Sequence, residues 1–326
     1  MSDLKTKILT AVSEDLAAIE EALAGNLNPY FDLVSQVAGH ILFAGGKRLR
    51  PLLMILCARL CGYSGDHTAR FATIFEYLHA ATLLHDDLVD GADMRRGRTV
   101  ANQLWDNPTA VLTGDFLLAR GLSIAADTGQ CEVIQTIARI TENMSQGEIR
   151  QLERKGDISL TEAEYLEVIR CKTAVLFEGA CRTGALVAGA SQARVKALTD
   201  YGHHLGLAFQ MADDLLDYTQ DLSAMGKNAG ADLREGKLTL PLIHALSRAP
   251  EADRQRMIAI LENPDFTIAE FENLTDMLIR HGGIDYTRRA AAARIQRAKA
   301  ALDPFADSSA RQTLMDIADY ALIRKA

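Results

Sequence analysis

Apolar residues recur at helical spacing along most of this chain, and the clearest stripe runs up to the segment HDDLVD. Phe71, Ile74, Phe75, Leu78 and Thr82 keep that spacing as far as Asp86, which predicts one long helix with Asp66 placed to cap its start. Before it, AGGKRLRP (44–51) breaks one helix, and Pro51 suits the first turn of the next, PLLMILCARLCG. Another helix begins at the proline of NPTAVLTGDFLLARG, and residues 127–153, 161–189 and 193–219 predict three more. GADMRRGR and the glycine-rich, charged KNAGADLREGKLTLP (227–241) read as loops, and surface helices follow from about residue 250.

No proline lies between Pro108 and Pro241, and the stretch is rich in Ala, Leu, Glu, Gln and Arg, so a succession of helices is expected there. Alternating β-branched runs and Asn-Gly turns are scarce. The fold class is all-α. With no low-complexity linker and no shift of composition across 326 residues, the expectation is a single domain, 1–326.

Charge narrows the function. A net charge of −8 argues against a general nucleic-acid or anionic-membrane surface, so any basic site must be local. Cys57, Cys61, Cys131, Cys171 and Cys181 have no CxxC spacing and lie on apolar or helical ground. They read as reduced core or wall residues of a cytoplasmic protein. The N-terminal stretch MSDLKTKILTAVSEDLAAIEEALAG is amphipathic with no signal-peptide core, and no uncharged apolar segment approaches the roughly 18–20 residues of a membrane span. A soluble protein is expected.

Two aspartate clusters carry the chemistry. Asp86, Asp87 and Asp90 repeat the spacing of Asp213, Asp214 and Asp217 in FQMADDLLDYTQD. Within each, the first and last carboxylates are four residues apart, about 40° around a helix, and so share one face. Like charges at that spacing repel unless something neutralises them. Oxygen-only ligands on helices suit Mg²⁺, which takes one or two carboxylates and fills its remaining positions with water and phosphate oxygens. No His or Cys completes a transition-metal set, and no EF-hand loop is present. Basic residues accompany the clusters: Lys47, Arg48 and Arg50, then Arg95, Arg96 and Arg98, then Lys172, Lys227 and Lys237. Such side chains grip diphosphates. Carboxylates with Mg²⁺ on one side and cations on the other make a diphosphate site.

The motifs GGKRLRP, HDDLVD…DMRRG, KTAVLF, FQMADDLLDYTQD, GK and EGKLTLP occur in an order and spacing that resembles the trans-isoprenyl diphosphate synthases, from about residue 30 onward. The resemblance implies a terpenoid-synthase helical bundle with a central cavity, usually a homodimer. It implies head-to-tail condensation of isopentenyl diphosphate onto an allylic diphosphate, such as farnesyl or geranylgeranyl diphosphate. It also implies Mg²⁺, three ions per site, with Mn²⁺ as a substitute. By the same resemblance Asp86, Asp90 and Asp213 are the expected direct ligands, and Asp87, Asp214 and Asp217 are ligands or partners through water. Arg95, Lys172 and Lys237 would bind the allylic diphosphate with Thr173, Gln210 and Lys227. Lys47, Arg50, His79 and Arg96 would hold isopentenyl diphosphate. The catalytic set is therefore Asp86, Asp90, Asp213, Lys172 and Lys237. No nucleic-acid partner is expected, and membrane contact is at most peripheral, for product release.

Five and four residues before Asp86 stand Ala81 and Thr82, where in this family bulky aromatics act as a floor for the growing chain. One helical turn is about 5.4 Å, comparable to one isoprene unit. Small residues there, with Leu78 and Phe75 as the next obstructions, imply a long-chain product of six or more units, as for a quinone side chain. A shorter-chain geranylgeranyl or farnesyl diphosphate synthase and a regulatory subunit of a heteromeric synthase are the alternatives. All six aspartates speak against the latter. A terpene cyclase normally carries one DDxxD and a different second motif, a head-to-head enzyme spaces its aspartates differently, and a di-iron bundle would need Glu-x-x-His pairs. Long-chain members often have an acidic residue where Gly91 stands, which would loosen the helix end here.

Overall fold

A computed structural model describes residues 2–219 and 230–323. In chain order the helices are α1 (Ser2–Ala11), α2 (Ser13–Leu27), α3 (Asp32–Leu42), α4 (Leu49–Leu60) and α5 (Thr68–Val89). A two-stranded ribbon, β1 (Met94–Arg95) and β2 (Arg98–Thr99), precedes α6 (Ala101–Leu104), α7 (Asn107–Ala126), α8 (Cys131–Glu153) and α9 (Glu162–Ile169). A π-helical turn, Arg170–Ala174, leads into α10 (Val175–Val187), then α11 (Gln192–Thr219) and the short α12 (Ala231–Arg234). The rest is α13 (Leu240–Arg248), α14 (Glu251–Leu261), α15 (Ile268–Arg280), α16 (Gly283–Ala300) and α17 (Ser309–Ile323). The fold is all-α as expected, the ribbon being the only strand pair among the described residues.

Two compact units form. The first comprises Met1–Thr141, Leu176–Gly202 and Leu302–Asp316, and the second Glu142–Val175, His203–Ala301 and Ile317–Ala326. In the first, α4 is buried at every position from Pro51 to Ala58, which explains its uninterrupted apolar sequence. α5 and α7 pack antiparallel through glycine. A Cβ on Gly121 would lie 2.6 Å from Leu78, and one on Gly114 would strike His85. Each pair is displaced from the other by seven residues, two helical turns. By length and composition α7 could cross a membrane, but it carries Asp115 and Arg120 near its middle and lies against α5 along its length.

Several boundaries depart from expectation. α5 starts at Thr68 with His67 at the N-cap and no side-chain cap, so Asp66 does not serve. The loop GADMRRGR forms the ribbon together with Thr99, with Met94 opposite Thr99 and Arg95 opposite Arg98. Arg96 and Gly97 take φ of 51° and 74° at its tip, the two left-handed residues of a tight hairpin. Gly91 (φ 64°) ends α5 rather than loosening it. Its left-handed conformation lets the Ala92 N–H donate to the Asp87 carbonyl at 2.9 Å, a Schellman closure. The helix expected over 161–189 is interrupted by the π turn at Arg170–Ala174, and the 227–241 loop contains α12. Cys131 is exposed rather than walled in, while all five cysteines remain free thiols.

A buried arginine ties the first unit together. Arg48 sits in left-handed backbone (φ 46°) at the N-cap of α4 and is 4% exposed. Its guanidinium donates to Glu20 and Glu76 at 2.6 Å and to the Leu42 carbonyl at 2.6 Å. Glu76 is also buried. Removing the partner of a buried charge costs far more than the pair contributes. Glu76→Ala is expected to lower the unfolding free energy by about 3 kcal/mol, read from urea denaturation. A change under about 1 kcal/mol would show that Glu20 alone neutralises Arg48.

Candidate active site

In the first unit the clustered charges sort by burial. Asp86 and Asp90 are half-buried at the end of α5, whereas Asp87 is 2% exposed. The Arg95 Nε donates to Asp87 at 2.6 Å, so the ribbon is pinned to the helix end by this pair. Burial pushes the Asp87 carboxyl up, Arg95 offsets part of that rise, and Asp90 adds to it. The loop before α4 joins from the other side, because Arg96 donates to the Gly45 carbonyl. A Cβ on Gly46 would meet Arg48 at 3.3 Å and Arg96 at 3.4 Å. Arg50 lies over the Phe177 ring, 4.8 Å from its centre, and Lys47 is exposed on the same loop.

His79, on α5, is half-buried among these cations. Desolvation holds its imidazole well below the ordinary value of 6.5, and Arg50, Arg96, Arg95 and Arg48 depress it further. A neutral imidazole beside guanidinium groups keeps a hydrogen-bond donor without adding charge repulsion, a suitable partner for an anion. The expected residues Arg50, His79, Arg95 and Arg96 therefore do converge. Arg48, by contrast, is committed to Glu20 and Glu76.

In the second unit Lys172, Thr173, Gln210, Asp214 and Lys237 line one cavity of about 110 Å³. Tyr165, Asp232 and Arg154 line it as well. Asp213 is exposed on α11. Asp214 is 3% exposed, and both its oxygens accept from protein: Tyr165 Oη at 2.5 Å and Gln210 Nε2 at 2.7 Å. Burial pushes its carboxyl up to about 6 despite those donors, with Asp213 and Asp217 adding to the rise. Asp217 accepts the backbone N–H groups of Ala231 and Asp232, each at 3.2 Å, and so anchors the first turn of α12. The Lys237 N–H returns to the Asp232 carbonyl at 2.8 Å, which fixes the lysine just beyond that helix. Lys227 lies outside the described residues.

The π turn explains how neighbouring residues serve different partners. Lys172 pairs with Glu148 of α8 at 2.6 Å, while the Thr173 hydroxyl donates to Gln210 Oε1 at 2.7 Å. Gly147 permits this approach, since a Cβ there would lie 2.6 Å from the Cys171 Cβ. Lys237 likewise pairs with Glu235. Sequence reading missed Tyr165, Glu148, Glu235 and Asp232. The last has a carboxyl pushed well up by burial and then by Asp214 and Asp217, and its only sequence signal was an aspartate beside EGKLTLP.

Among the described residues no three His, Cys or acidic side chains converge into a ready-made metal cage. Within each cluster, an all-oxygen set with half-buried Asp86 and Asp90 or exposed Asp213 beside a buried carboxylate nonetheless fits a hard divalent cation that keeps several waters. Placing positive charge beside Asp213 would relieve the repulsion that raises Asp214.

The His79 shift has a measurable sign. The unfolded chain takes a proton below pH 6.5 and the folded protein does not, so stability is present above that pH and is lost as pH falls through it. Between pH 6.5 and 5.5 the native chain is expected to lose about 0.5–1 kcal/mol more unfolding free energy than His79→Gln. Parallel losses in urea titrations would mean that His79 is protonated in the fold.

Comparison with known proteins places the chain in a family. The polyprenyl synthetase family model matches residues 31–278. Octaprenyl diphosphate synthase of Escherichia coli is 37% identical over 318 residues, 98% of each chain. The decaprenyl diphosphate synthase structure from Rhodobacter capsulatus has a TM-score of 0.91 at 41% identity over 98% of both chains. The polyprenyl synthase structure from Caulobacter crescentus, complexed with calcium and isoprenyl diphosphate, has the same TM-score at 39% identity and 98% coverage of both. With repeated aspartate clusters, convergent cations and a match over nearly its whole length, the chain belongs to the polyprenyl synthetase family of prenyltransferases.

Proposed function

We propose that this protein is a long-chain trans-polyprenyl diphosphate synthase, and that its two compact units act as one catalytic domain. The cavity of the second unit carries the reading, because Lys172 and Lys237 enter it beside buried carboxylates and a Thr–Gln pair. The substrates are isopentenyl diphosphate and an allylic diphosphate, with farnesyl or geranylgeranyl diphosphate as the starter. The allylic C–O bond breaks with its electron pair leaving on diphosphate. The double bond of isopentenyl diphosphate then attacks the allylic carbon, and the proton lost afterwards goes to the released diphosphate. No protein base is required.

Divalent cations, here Mg²⁺ with three per site, supply Lewis-acid stabilisation of the departing diphosphate when bound. Asp86, Asp90 and Asp213 are the side chains that would hold them. Asp87, Asp214 and Asp217 hold the surrounding protein in place, since each already accepts from protein donors. Lys172 and Lys237 bind the allylic diphosphate, exchanging Glu148 and Glu235 for it. Arg95, whose Nε engages Asp87, serves a diphosphate with its remaining N–H groups. Arg50, His79, Arg96 and Lys47 hold isopentenyl diphosphate.

The product has six or more isoprene units, in the manner of an octaprenyl chain for a quinone. Ala81 is fully buried, and the Thr82 hydroxyl is satisfied by the His79 carbonyl at 2.8 Å. Neither position presents bulk or an unmet polar group to an apolar chain. Leu78 and Phe75 are buried below them. The protein acts in the cytoplasm as a homodimer, a proposal supported by the exposed apolar side chains Val111, Leu112 and Leu122 on α7.

Incubation with farnesyl diphosphate, labelled isopentenyl diphosphate and Mg²⁺ is expected to give a ladder ending at six or more units. Asp86→Asn and Asp213→Asn should each lower turnover at least about 100-fold. Near-normal rates in either variant refute the metal assignment. The double substitution Ala81→Phe with Thr82→Phe is expected to stop growth about one to three units past the starter. Product of native length on chromatography would refute the floor.

A further inference from the structure

We infer that Tyr165 is a positioning residue for the allylic-diphosphate cavity, acting through Asp214 and Gln210 on the turn that carries Lys172. The inference rests on the function proposed above. Tyr165 is 3% exposed on α9, and its hydroxyl donates to Asp214 Oδ2 at 2.5 Å. Asp214 Oδ1 accepts from Gln210 Nε2 at 2.7 Å, and Gln210 Oε1 accepts from the Thr173 hydroxyl at 2.7 Å. Four side chains thus form one row whose donors converge on Asp214 from both ends.

The direction matters because a glutamine amide has two nearly isosteric ends of opposite character. With Asp214 ionised, only the NH₂ end can face it, so the carbonyl end must face Thr173. Turned the other way, the carbonyl would oppose a carboxylate oxygen. Gln210 and Asp214 are four apart on α11 and share a face, but a carboxylate on a helix is free to rotate. Tyr165 removes that freedom by holding the second oxygen. Its phenol stays protonated, since burial and the adjacent Asp214 push it well up, so it is always a donor.

The consequence falls on the π turn. Lys172 and Thr173 are consecutive, and the turn is fixed from two sides, by Glu148 on Lys172 and by Gln210 on Thr173. When a diphosphate draws Lys172 away from Glu148, the bond from Thr173 still holds the turn. The row that begins at Tyr165 keeps that bond oriented.

Tyr165→Phe preserves the ring and removes the donor. It is expected to raise KM for farnesyl diphosphate and lower kcat/KM for it by about 10–100-fold, with KM for isopentenyl diphosphate within about twofold of native. Titration calorimetry with the non-ionising farnesyl S-thiolodiphosphate should report the same weakening without turnover. If the row is real, Tyr165→Phe combined with Thr173→Val should be no worse than Thr173→Val alone. 4-Aminophenylalanine at position 165, which keeps a donor, should restore farnesyl diphosphate KM to within about twofold. An unchanged KM in Tyr165→Phe, multiplying effects in the double variant, or failure of the aminophenylalanine chain to restore binding each overturns the inference. Should Tyr165→Phe not fold, the aminophenylalanine chain alone decides. Absence of any elongation by the native enzyme would instead overturn the proposed function.

Discussion

Repulsion between carboxylates withdrawn from water is the constraint around which each aspartate cluster is arranged. Three aspartates within five residues of a helix cannot all be buried and ionised without compensation. Each cluster meets this by dividing the burden. The middle aspartate goes inside and receives protein donors, Arg95 for Asp87 and Tyr165 with Gln210 for Asp214. The first stays toward water, half-buried at Asp86 and exposed at Asp213. The last closes a chain reversal, as the C-cap of α5 for Asp90 and as the anchor of α12 for Asp217. One motif therefore does two kinds of work, and burial separates them.

The cations follow a related logic. Arg95, Lys172 and Lys237 each pair with a carboxylate of their own unit, at Asp87, Glu148 and Glu235. An ammonium aimed into a cavity without a counter-charge would pay for desolvation and lose its rotamer. Under the proposed function, a diphosphate, which carries more charge than one carboxylate, would displace the partner rather than meet a bare ion. Arg48 shows the opposite case. It is enclosed by Glu20, Glu76 and a carbonyl, so its charge holds the loop of Lys47 and the start of α4, where Arg50 lies.

Local apolar pattern marked the long helices, because α4 and much of α5 are buried all round and their apolar residues are local in sequence. The duplicated aspartates were equally legible, since their spacing is a property of one helix turn. What escaped was set by distant partners. Tyr165 is 49 residues from Asp214, and Glu148 is 24 from Lys172; neither pairing leaves a trace in local pattern. The π turn was hidden for a similar reason, as residues 161–189 have continuous helical composition while the turn's side chains pair with the distant Glu148 and Gln210. The ribbon at Met94–Thr99 was obscured by its arginines, which mask a hairpin whose tip places Arg96, not asparagine, in left-handed backbone.

Product length shows why fold similarity and fine function part company. The helix that carries the first aspartates also carries Phe75, Leu78, Ala81 and Thr82, so the spacing between those aspartates and these four side chains is fixed at about 1.5 Å per residue. Leu78 is pressed against Gly121 of α7, and this glycine lets the two helix axes approach while leaving the leucine nowhere else to go. A bulky residue placed at Ala81 could not be absorbed by moving α5 aside, because Gly114 fixes the same pair of helices two turns further along. Under the proposed function, side-chain volume at a few buried positions would therefore reset where elongation stops without altering the backbone around the aspartates.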